Sequence, residues 1–393
     1  MKHKLLNRRK FVQLVGYSSA LGAVGLQSPW LSASTQGSRS AFAYVGFAGD
    51  ASNGSRQGIQ VFAVDGERWT PAQTVATDRP SFLAIHPNQH FLYAVNEIDS
   101  YQGLPMGTVE AYAIDTHNGH LSLLNRQPLS LSGVLPRHLA ISPDGRNLVV
   151  AVHGGGAYNL LSIREDGHLE RVSAIVKETG SGLHPEHQDS AHPQMVIFDR
   201  TGSRLLSADL GNDTLNVLTL SDSGLAITAR NNAEAGSGPR QIALHPSGNL
   251  LFAMNELDAS LSSFRYDAEN GALQERLHHE TIGPKSSQRG TSAMAMHPSG
   301  DLLFTSYSGS NAGGILTWRI DSASGAIKPQ IFLGQRSSLR ATSMIATQNS
   351  LLVLSHEANG VLSLPLDAAN GRLSEPVQVA RVKTPISLAL KSI

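Results

Sequence analysis

Histidine, arginine and glutamate side chains stand at the two ends of a phrase that recurs along this 393-residue chain. In one copy, residues 239–256 read PRQIALHPSGNLLFAMNE, with Arg240 near the first end and Glu256 at the second. His192 directly precedes the previous copy. An imidazole moves protons near neutral pH, a carboxylate orients or assists it, and a guanidinium stabilises a negative oxygen. These three residues therefore predict a catalytic set for acid–base chemistry on a polar substrate.

Other copies carry charged or ring side chains at the same two places, and these are predicted to bind the substrate. They are Arg137 and Arg340 at the first end, with Glu97, His153 and Asp209 at the second. Each arginine could instead form a structural salt bridge with a glutamate from a second end: Glu97, Glu256 or Glu357. For Arg240 a functional role is favoured, because His192 belongs to the neighbouring copy at the same level.

The phrase predicts a β-hairpin, because two apolar runs flank the turn sequence His245-Pro246-Ser247-Gly248. Antiparallel pairing places the first and last residues of a hairpin side by side. Seven copies recur at intervals of about 50 residues, which is typical of propeller blades. With His245 as the turn mark, the equivalents are His86, Ser142, Asp199, His297, Ala346 and Lys391. We therefore expect an all-β, seven-bladed β-propeller with four-stranded antiparallel blades, whose inner strands bring the charged ends to one channel mouth.

Each end of the repeat region carries one strand that lacks a hairpin partner. The segment from Ala41 to Phe47 reads as a strand with no hairpin partner before it, and the segment from Ile386 to Leu390 as an inner strand with none after it. A propeller closes its ring to avoid exposed strand edges. We therefore predict that the two segments share one blade of a single domain over residues 41–393.

The N-terminus has the character of a targeting segment. Its sequence Arg8-Arg9-Lys10-Phe11 resembles a twin-arginine export motif, and small residues near 31–34 suit a cleavage site. The stretch from Phe11 to Leu26 is too short and too polar to span a bilayer. We expect residues 1–34 to engage the twin-arginine export machinery, the mature protein to be periplasmic, and no stable membrane association after signal removal.

Composition excludes several classes of function. Basic and acidic residues number 31 each, so no excess charge supports nucleic-acid binding. Cysteine is absent, which excludes disulfides and a thiolate nucleophile. The loop from His184 to His192 fits no common zinc spacing, and the glycines at 154–156 lie between strands rather than before a helix. We expect neither a metal nor another cofactor.

Long phrases of the chain resemble the seven-bladed propeller lactonase family. The phrases are PSFLAIHPNQHFLYAVNE, PRHLAISPDGRNLVVAVHGGG, HPQMVIFDRTGSRLLSADLGND and GPRQIALHPSGNLLFAMNELD. That family includes the propeller-type 6-phosphogluconolactonases and is similar to the fungal carboxy-muconate cyclising enzymes. The resemblance extends over residues 41–393 and is strongest from 80 to 265. It implies catalytic roles for His192, Arg240 and Glu256.

Three departures from the family pattern bear on the substrate. His192-Pro193-Gln194 replaces His-Pro-His, and Pro239-Arg240-Gln241 replaces Pro-Arg-His. In the fifth blade, Tyr307-Ser308-Gly309 replaces an arginine-containing phrase, and Ala293 replaces an acidic residue. A substrate-binding arginine is therefore expected to be missing, which disfavours a phosphorylated substrate.

The sequence as a whole predicts a periplasmic lactonase, a carboxylic ester hydrolase that converts a sugar-derived lactone to its aldonic acid. Gluconolactone or a related aldonolactone is the expected substrate, with 6-phosphogluconolactone as a further possibility. In this hypothesis His192 activates water, Glu256 orients or assists it, and Arg240 stabilises the oxyanion or the product carboxylate. Two alternatives stay open: a non-catalytic propeller that binds a ligand or protein, and a muconate-type lactonising enzyme.

Overall fold

The structure is a computed structural model that describes residues 41–49, 56–282, 289–309, 313–336 and 340–391. The predicted export signal at 1–34 and most of the predicted loop from Asp50 to Gln57 lie outside this part. The described residues form β-strands, turns and loops, without a helix. It follows that they contain no helical segment of a length and apolarity suited to crossing a membrane.

The strands form seven antiparallel sheets, and the first three strands belong to the closing blade. These are β1 (Ala41–Phe47), β2 (Gly58–Asp65) and β3 (Arg68–Ala76). Blade 1 contains β4 (Pro80–Ile85), β5 (Phe91–Asn96), β6 (Thr108–Ile114) and β7 (Leu121–Pro128). Blade 2 contains β8 (Pro136–Ile141), β9 (Asn147–Val152), β10 (Ala157–Ile163) and β11 (Leu169–Lys177). Blade 3 contains β12 (Pro193–Phe198), β13 (Arg204–Asp209), β14 (Thr214–Ser221) and β15 (Gly224–Asn232).

The remaining blades repeat this order from the inner to the outer strand. Blade 4 contains β16 (Pro239–Leu244), β17 (Leu250–Asn255), β18 (Ser260–Asp267) and β19 (Ala272–Thr281). Blade 5 contains β20 (Arg289–Met296), β21 (Leu302–Gly309), β22 (Gly313–Ile320) and β23 (Ile327–Arg336). Blade 6 contains β24 (Ala341–Ala346), β25 (Ser350–Ser355) and β26 (Gly360–Asp367), with β27 (Arg372–Leu373) and β28 (Val377–Arg381) sharing the outer position. The last strand, β29 (Pro385–Lys391), is the innermost strand of the closing blade.

Closure of the ring by the two chain ends is confirmed. Strand β29 pairs antiparallel with β1, from Phe42 opposite Lys391 to Phe47 opposite Pro385. The Ser387 hydroxyl also donates to the Pro80 carbonyl of blade 1, at 2.6 Å. The last strand is therefore joined to the first strand within one sheet and to blade 1 across a blade boundary.

Apolar side chains pack between neighbouring blades rather than in one central core. Strand β17 is buried along its whole length, whereas the outer strand β15 alternates exposed and less exposed residues. The turns between third and fourth strands carry glycines at positive φ of 68° to 75°, at Gly119, Gly271, Gly325 and Gly371. A side chain strongly disfavours this backbone conformation, which explains the repeated X-Gly pairs.

Histidines at the turn mark bind backbone, as the sequence suggests. His86 Nε2 lies 2.9 Å from the Gly145 carbonyl of blade 2, and His297 Nε2 lies 3.2 Å from the Gln348 carbonyl of blade 6. Each ring therefore connects the turn of its own blade to the turn of the next.

The sixth hairpin corrects the predicted register by one residue. Ala341 pairs with Ser355, as Pro239 pairs with Asn255 in blade 4. At the turn, the Thr347 N–H bonds the Ser350 carbonyl, so Thr347 and not Ala346 is the turn mark. The turn in this blade is shorter than the one that begins at His245, which misaligns a comparison made by spacing alone.

Candidate active site

The inner strands enclose a channel cavity of about 460 Å³. Its mouth is lined by Arg79, Glu97, Arg137, Arg240 and His356, and its depth by apolar side chains such as those of Phe82, Met195, Met294 and Met344. His192 and Glu256 are adjacent to this lining, because Glu256 bonds Arg240 and His192 lies two residues before the lining residue Gln194. The structure thus brings most of the predicted residues to one polar rim above an apolar channel.

Two arginine–glutamate groups occupy this rim on blades 1, 2 and 4. Arg240 Nη1 lies 2.7 Å from Glu256 Oε2, and both side chains are 29% exposed. Arg137 Nη1 of blade 2 lies 2.8 Å from Glu97 Oε1 of blade 1, and Arg79 Nη2 lies 3.6 Å from the other oxygen of Glu97. Burial lowers the pKa of Arg137, an effect that the charge of Glu97 opposes. The salt bridges considered from sequence are present, and they lie where a substrate would contact them.

The corrected register changes the place of Arg340. It directly precedes β24, as Arg79 precedes β4 and His192 precedes β12, so it is not equivalent to Arg137 or Arg240. Arg340 Nη1 lies 3.5 Å from Glu357 Oε1. His356, which lines the cavity mouth, is the residue equivalent to Glu97 and Glu256.

His192 contacts several polar groups, and its carboxylate partner is one that the sequence did not single out. Its Nε2 lies 2.9 Å from Asp189 Oδ1, and its Nδ1 lies 3.1 Å from the His153 carbonyl oxygen. Among the described contacts, Glu256 binds Arg240 rather than His192. The expectation that Glu256 orients His192 is therefore corrected, since Asp189 takes that place. The one indication of this contact in the sequence was that Asp189 lies three residues before His192.

His153 lies beneath His192 on the neighbouring blade. The two rings are stacked with centres 4.5 Å apart, and His153 Nδ1 lies 2.9 Å from Gln194 Nε2. Burial lowers the pKa of His153 to about 3, and the nearby Arg137 charge contributes in the same direction. His153 is therefore a neutral platform for His192 at physiological pH.

Asp209 is buried behind the rim and holds the backbone that precedes β12. Its Oδ1 accepts hydrogen bonds from the His192 N–H at 2.7 Å and from the Gly211 N–H at 2.9 Å. Asp209 is equivalent to Asn96 and Asn255, which are also buried. Burial raises the pKa of Asp209 to about 7. In this structure it positions His192 rather than facing the channel.

In the fifth blade, buried apolar side chains occupy the positions that differ from the family pattern. Ala293 is fully buried in the core between blades 5 and 6, and Tyr307 is buried in the core between blades 4 and 5. The side chain of Ser308 lies outside the described residues. Tyr307, equivalent to Asn255, therefore serves packing in this blade.

A second buried histidine, His138, lines the channel below Arg137. Its ring centre lies 3.8 Å from that of Phe82, and within the described structure neither ring nitrogen has a hydrogen-bond partner. Burial lowers the pKa of His138 from 6.5 to about 3. The folded protein therefore keeps this ring neutral in mild acid, where the unfolded chain takes up a proton.

Acid should consequently weaken the fold, and His138→Phe should remove part of that effect. The stability linked to His138 is complete above pH 6.5 and is lost as pH falls toward 3, at about 1.4 kcal/mol per pH unit. His153 acts in the same direction, whereas the raised pKa of Asp209 acts in the opposite direction between pH 7 and 3.8. Between pH 7 and 5, the wild type should lose about 2 kcal/mol more unfolding free energy than the variant. Urea unfolding at both pH values measures this difference, with the exposed His117→Phe as control. Equal losses in wild type and His138→Phe would contradict it.

Among the described residues, no group of three histidine, aspartate or glutamate side chains has an arrangement that could hold a metal ion.

The family described as "Lactonase, 7-bladed beta-propeller" matches residues 43–390. The chain belongs to this lactonase family. The 6-phosphogluconolactonase of Bacillus subtilis (strain 168) is 25% identical to this lactonase over 347 residues, which cover 87% of this chain and 97% of that protein. The 6-phosphogluconolactonase of Formosa agariphila is 26% identical over 345 residues, with coverage of 85% and 95%.

Solved structures agree with the architecture of this lactonase. A putative 6-phosphogluconolactonase from Bacteroides fragilis has a TM-score of 0.81 and 25% identity, covering 91% of this chain and 99% of that one. A periplasmic gluconolactonase from Pseudomonas aeruginosa has a TM-score of 0.81 and 24% identity, covering 90% and 99%, and at this identity it shows the common fold alone. The seven-bladed propeller and the enzyme class predicted from sequence are both confirmed.

Proposed function

We propose that this lactonase hydrolyses an uncharged sugar lactone, such as gluconolactone, to the aldonic acid. The observation that carries the proposal is the rim, where His192, the Arg240–Glu256 pair and Arg137 surround one channel mouth. Opening a lactone requires an acceptor for the proton of water, donors for the oxyanion and a proton for the departing ring oxygen. The rim offers a side chain for each of these tasks.

The reaction begins with attack of water on the lactone carbonyl carbon. Glu256 accepts the proton of this water, while Arg240 and Arg137 donate hydrogen bonds to the oxygen that becomes negative. The ring C–O bond then breaks, and His192 donates a proton to the departing ring oxygen, which becomes a hydroxyl group; this donation uses Nε2, which must turn from Asp189 to the substrate. Glu256 returns its proton to solvent and His192 regains one, so that the site is restored. This assignment exchanges the roles first expected for His192 and Glu256, because Asp189 binds the His192 ring.

The charge balance of the rim favours an uncharged substrate. Each rim arginine named above already lies near a carboxylate: Arg79 and Arg137 near Glu97, Arg240 near Glu256, and Arg340 near Glu357. A phosphate dianion would have to compete with these carboxylates for the guanidinium groups. This argument weighs against the phosphorylated substrate in the names of the curated relatives.

The test is acid release from glucono-δ-lactone and from its 6-phosphate, after subtraction of spontaneous hydrolysis. A higher kcat/KM for the unphosphorylated lactone supports the proposal. Preference for the phosphate ester would overturn the substrate assignment while keeping the reaction. Turnover of neither compound, nor of other aldonolactones, would overturn the proposed reaction.

We further propose that the protein acts in the periplasm. The support is the twin-arginine-like segment at residues 8–11 together with a substrate that needs no cytoplasmic phosphorylation. Changing Arg8 and Arg9 to Lys should retain the protein in the cytoplasm, because the export receptor reads the guanidinium pair. Cell fractionation with antibody detection measures this, and changing Lys2 and Lys4 to Arg serves as the control. Unchanged periplasmic recovery of the double lysine variant would exclude this export route.

A further inference from the structure

We propose that Asp189 is the positioning residue of His192, holding the ring in place and facing its Nε2 with a negative charge. The kinetic part of this inference rests on the proposed lactone hydrolysis, whereas the structural part does not. Apart from His192 itself, the sequence suggested no role for the loop from His184 to His192, whose histidine spacing fits no common zinc site. The structure gives that loop a specific task.

The acceptor oxygens around the ring define its orientation. The His153 carbonyl oxygen can only accept, so His192 Nδ1 must carry a hydrogen at 3.1 Å from it. Asp189 Oδ1 lies 2.9 Å from Nε2, and a carboxylate likewise only accepts. The hydrogen bond from His192 lowers the pKa of Asp189, which keeps this carboxylate ionised. Both ring nitrogens therefore face acceptor oxygens, and these two contacts hold the ring in one orientation.

A buried glutamine fixes the segment that delivers Asp189. Gln188 is 1% exposed, and its Nε2 donates to the Leu210 carbonyl and to Asp213 Oδ1, each at 2.8 Å. Its Oε1 accepts from the His184 N–H, and its backbone N–H bonds the His184 carbonyl at 2.6 Å. Asp189 is itself 67% exposed, and an isolated surface ion pair contributes little. Because its chain neighbour is anchored, Asp189 needs little further ordering to reach His192.

The backbone of His192 is fixed from the opposite direction. Its N–H donates to the buried Asp209, and Gly211 lies so close that a Cβ there would overlap the Ser190 carbonyl oxygen. His192 is thus held at its backbone by Asp209, at Nδ1 by blade 2 and at Nε2 by Asp189. Of these contacts, Asp189 alone supplies an exposed negative charge to the ring.

Other polar and charged groups lie near Asp189 and His192, and the substitutions described below leave these groups unchanged. His153 is neutral beneath the ring, Arg137 and Arg240 are close enough to lower the pKa of His153, and Asp209 lies behind the backbone. Ser190 Oγ is a weaker neighbour of Nε2, at 3.5 Å. Removing the charge of Asp189 should therefore make loss of the ring proton easier, since the neighbouring guanidinium groups oppose the cationic form.

The first experiment follows the imidazole signals of the full-length protein by NMR as pH is varied. The His192 signal is assigned by its loss in His192→Gln. In Asp189→Asn, the pH at which this signal is half shifted should fall by about one unit, the lower end of the effect of a nearby opposite charge. The matched control is Asp166→Asn, because Asp166 also faces a histidine, His168, at 3.1 Å on the outer part of blade 2. That control should leave the His192 signal unchanged.

The second experiment compares steady-state kinetics on the best lactone across pH. Asp189→Asn should reduce kcat by about tenfold to a hundredfold, the scale of a misplaced catalytic group, with a smaller change in KM. Its activity should also decline at lower pH on the alkaline side than that of the wild type. Gln188→Ala should reproduce the loss of kcat although Asp189 is retained, and a melting curve shows whether the variant is folded at the assay temperature. Asp166→Asn should behave as wild type.

The outcomes separate the two proposals. If Asp189→Asn matches Asp166→Asn in both the NMR titration and kinetics, Asp189 is an ordinary surface residue and the inference is wrong. If the wild type turns over no lactone but the His192 signal shifts as stated, the positioning role holds and the proposed function fails. If kcat falls without a shift of the His192 signal, Asp189 affects kcat by another route. The inference that its charge acts on the His192 ring is then overturned.

Discussion

Replacing Glu256 by Gln should reduce kcat on glucono-δ-lactone by about 10²- to 10⁴-fold, the range for loss of a general base. His192→Ala should cause a reduction of similar size, because the departing oxygen then leaves without its proton donor. The amide introduced by Glu256→Gln can still bond Arg240 but cannot take a proton from water. Arg240→Lys should also lower kcat, since an ammonium group does not reproduce the fork of donors. Rates of acid release at saturating substrate measure all three effects.

Two controls make this result interpretable. Glu275→Gln makes the same chemical change on the exposed outer strand of blade 4 and should leave kcat unchanged. Melting temperatures should stay close to the wild-type value, because Glu256 and Arg240 lie at the channel mouth and not between blades. If Glu256→Gln, His192→Ala and Arg240→Lys all retain near-normal turnover, the reaction takes place elsewhere on the protein.

Deleting residues 384–393 should prevent stable folding. The deletion removes β29, exposes the edge of β1 and uncovers apolar side chains that pack against β29, such as Tyr44 and Val45. Loss of one inner strand costs several kcal/mol, which is comparable to the whole stability of a typical domain. The truncated chain should therefore appear in the insoluble fraction or in aggregates on size-exclusion chromatography.

A milder change at the same junction provides a graded comparison. Ser387→Ala removes the hydrogen bond to the Pro80 carbonyl and leaves a buried acceptor without it, at a cost of about 1–3 kcal/mol. This variant should fold but melt at a lower temperature than the wild type. A truncated protein that melts as the full chain does would show that closure contributes nothing to stability.

The sequence could predict the architecture because each blade repeats the same local pattern of turn residues and apolar runs. Turn glycines, paired apolar runs and the complementary end strands each have a direct physical meaning, and the structure has all of them. The error of one residue in blade 6 arose because its turn is shorter, so that spacing and pairing no longer agree. Hydrogen-bond partners across the hairpin define register, and they are not visible in a count along the chain.

The candidate site was predictable only in its outline. Arg240 and Glu256 could be paired from hairpin geometry alone, and the structure has them 2.7 Å apart. Asp209 was grouped with Glu97, although the turn marks place it one residue earlier, at the position of Asn96, and the structure buries it behind the rim. Asp189 could not be selected because its position depends on how Gln188 is anchored to blade 3. Loop side chains depend on tertiary contacts that periodicity does not encode.

The pairing of β29 with β1 also determines when the protein can complete its fold during synthesis. Strand β1 emerges from the ribosome before the other six blades, but its inner partner β29 emerges only after them. Until then the ring stays open, and β1 presents an unpaired edge throughout most of translation. A nascent chain in this condition benefits from a chaperone that covers the open edge. The fold itself therefore distinguishes truncated chains, because a chain that stops before β29 cannot form the closed ring.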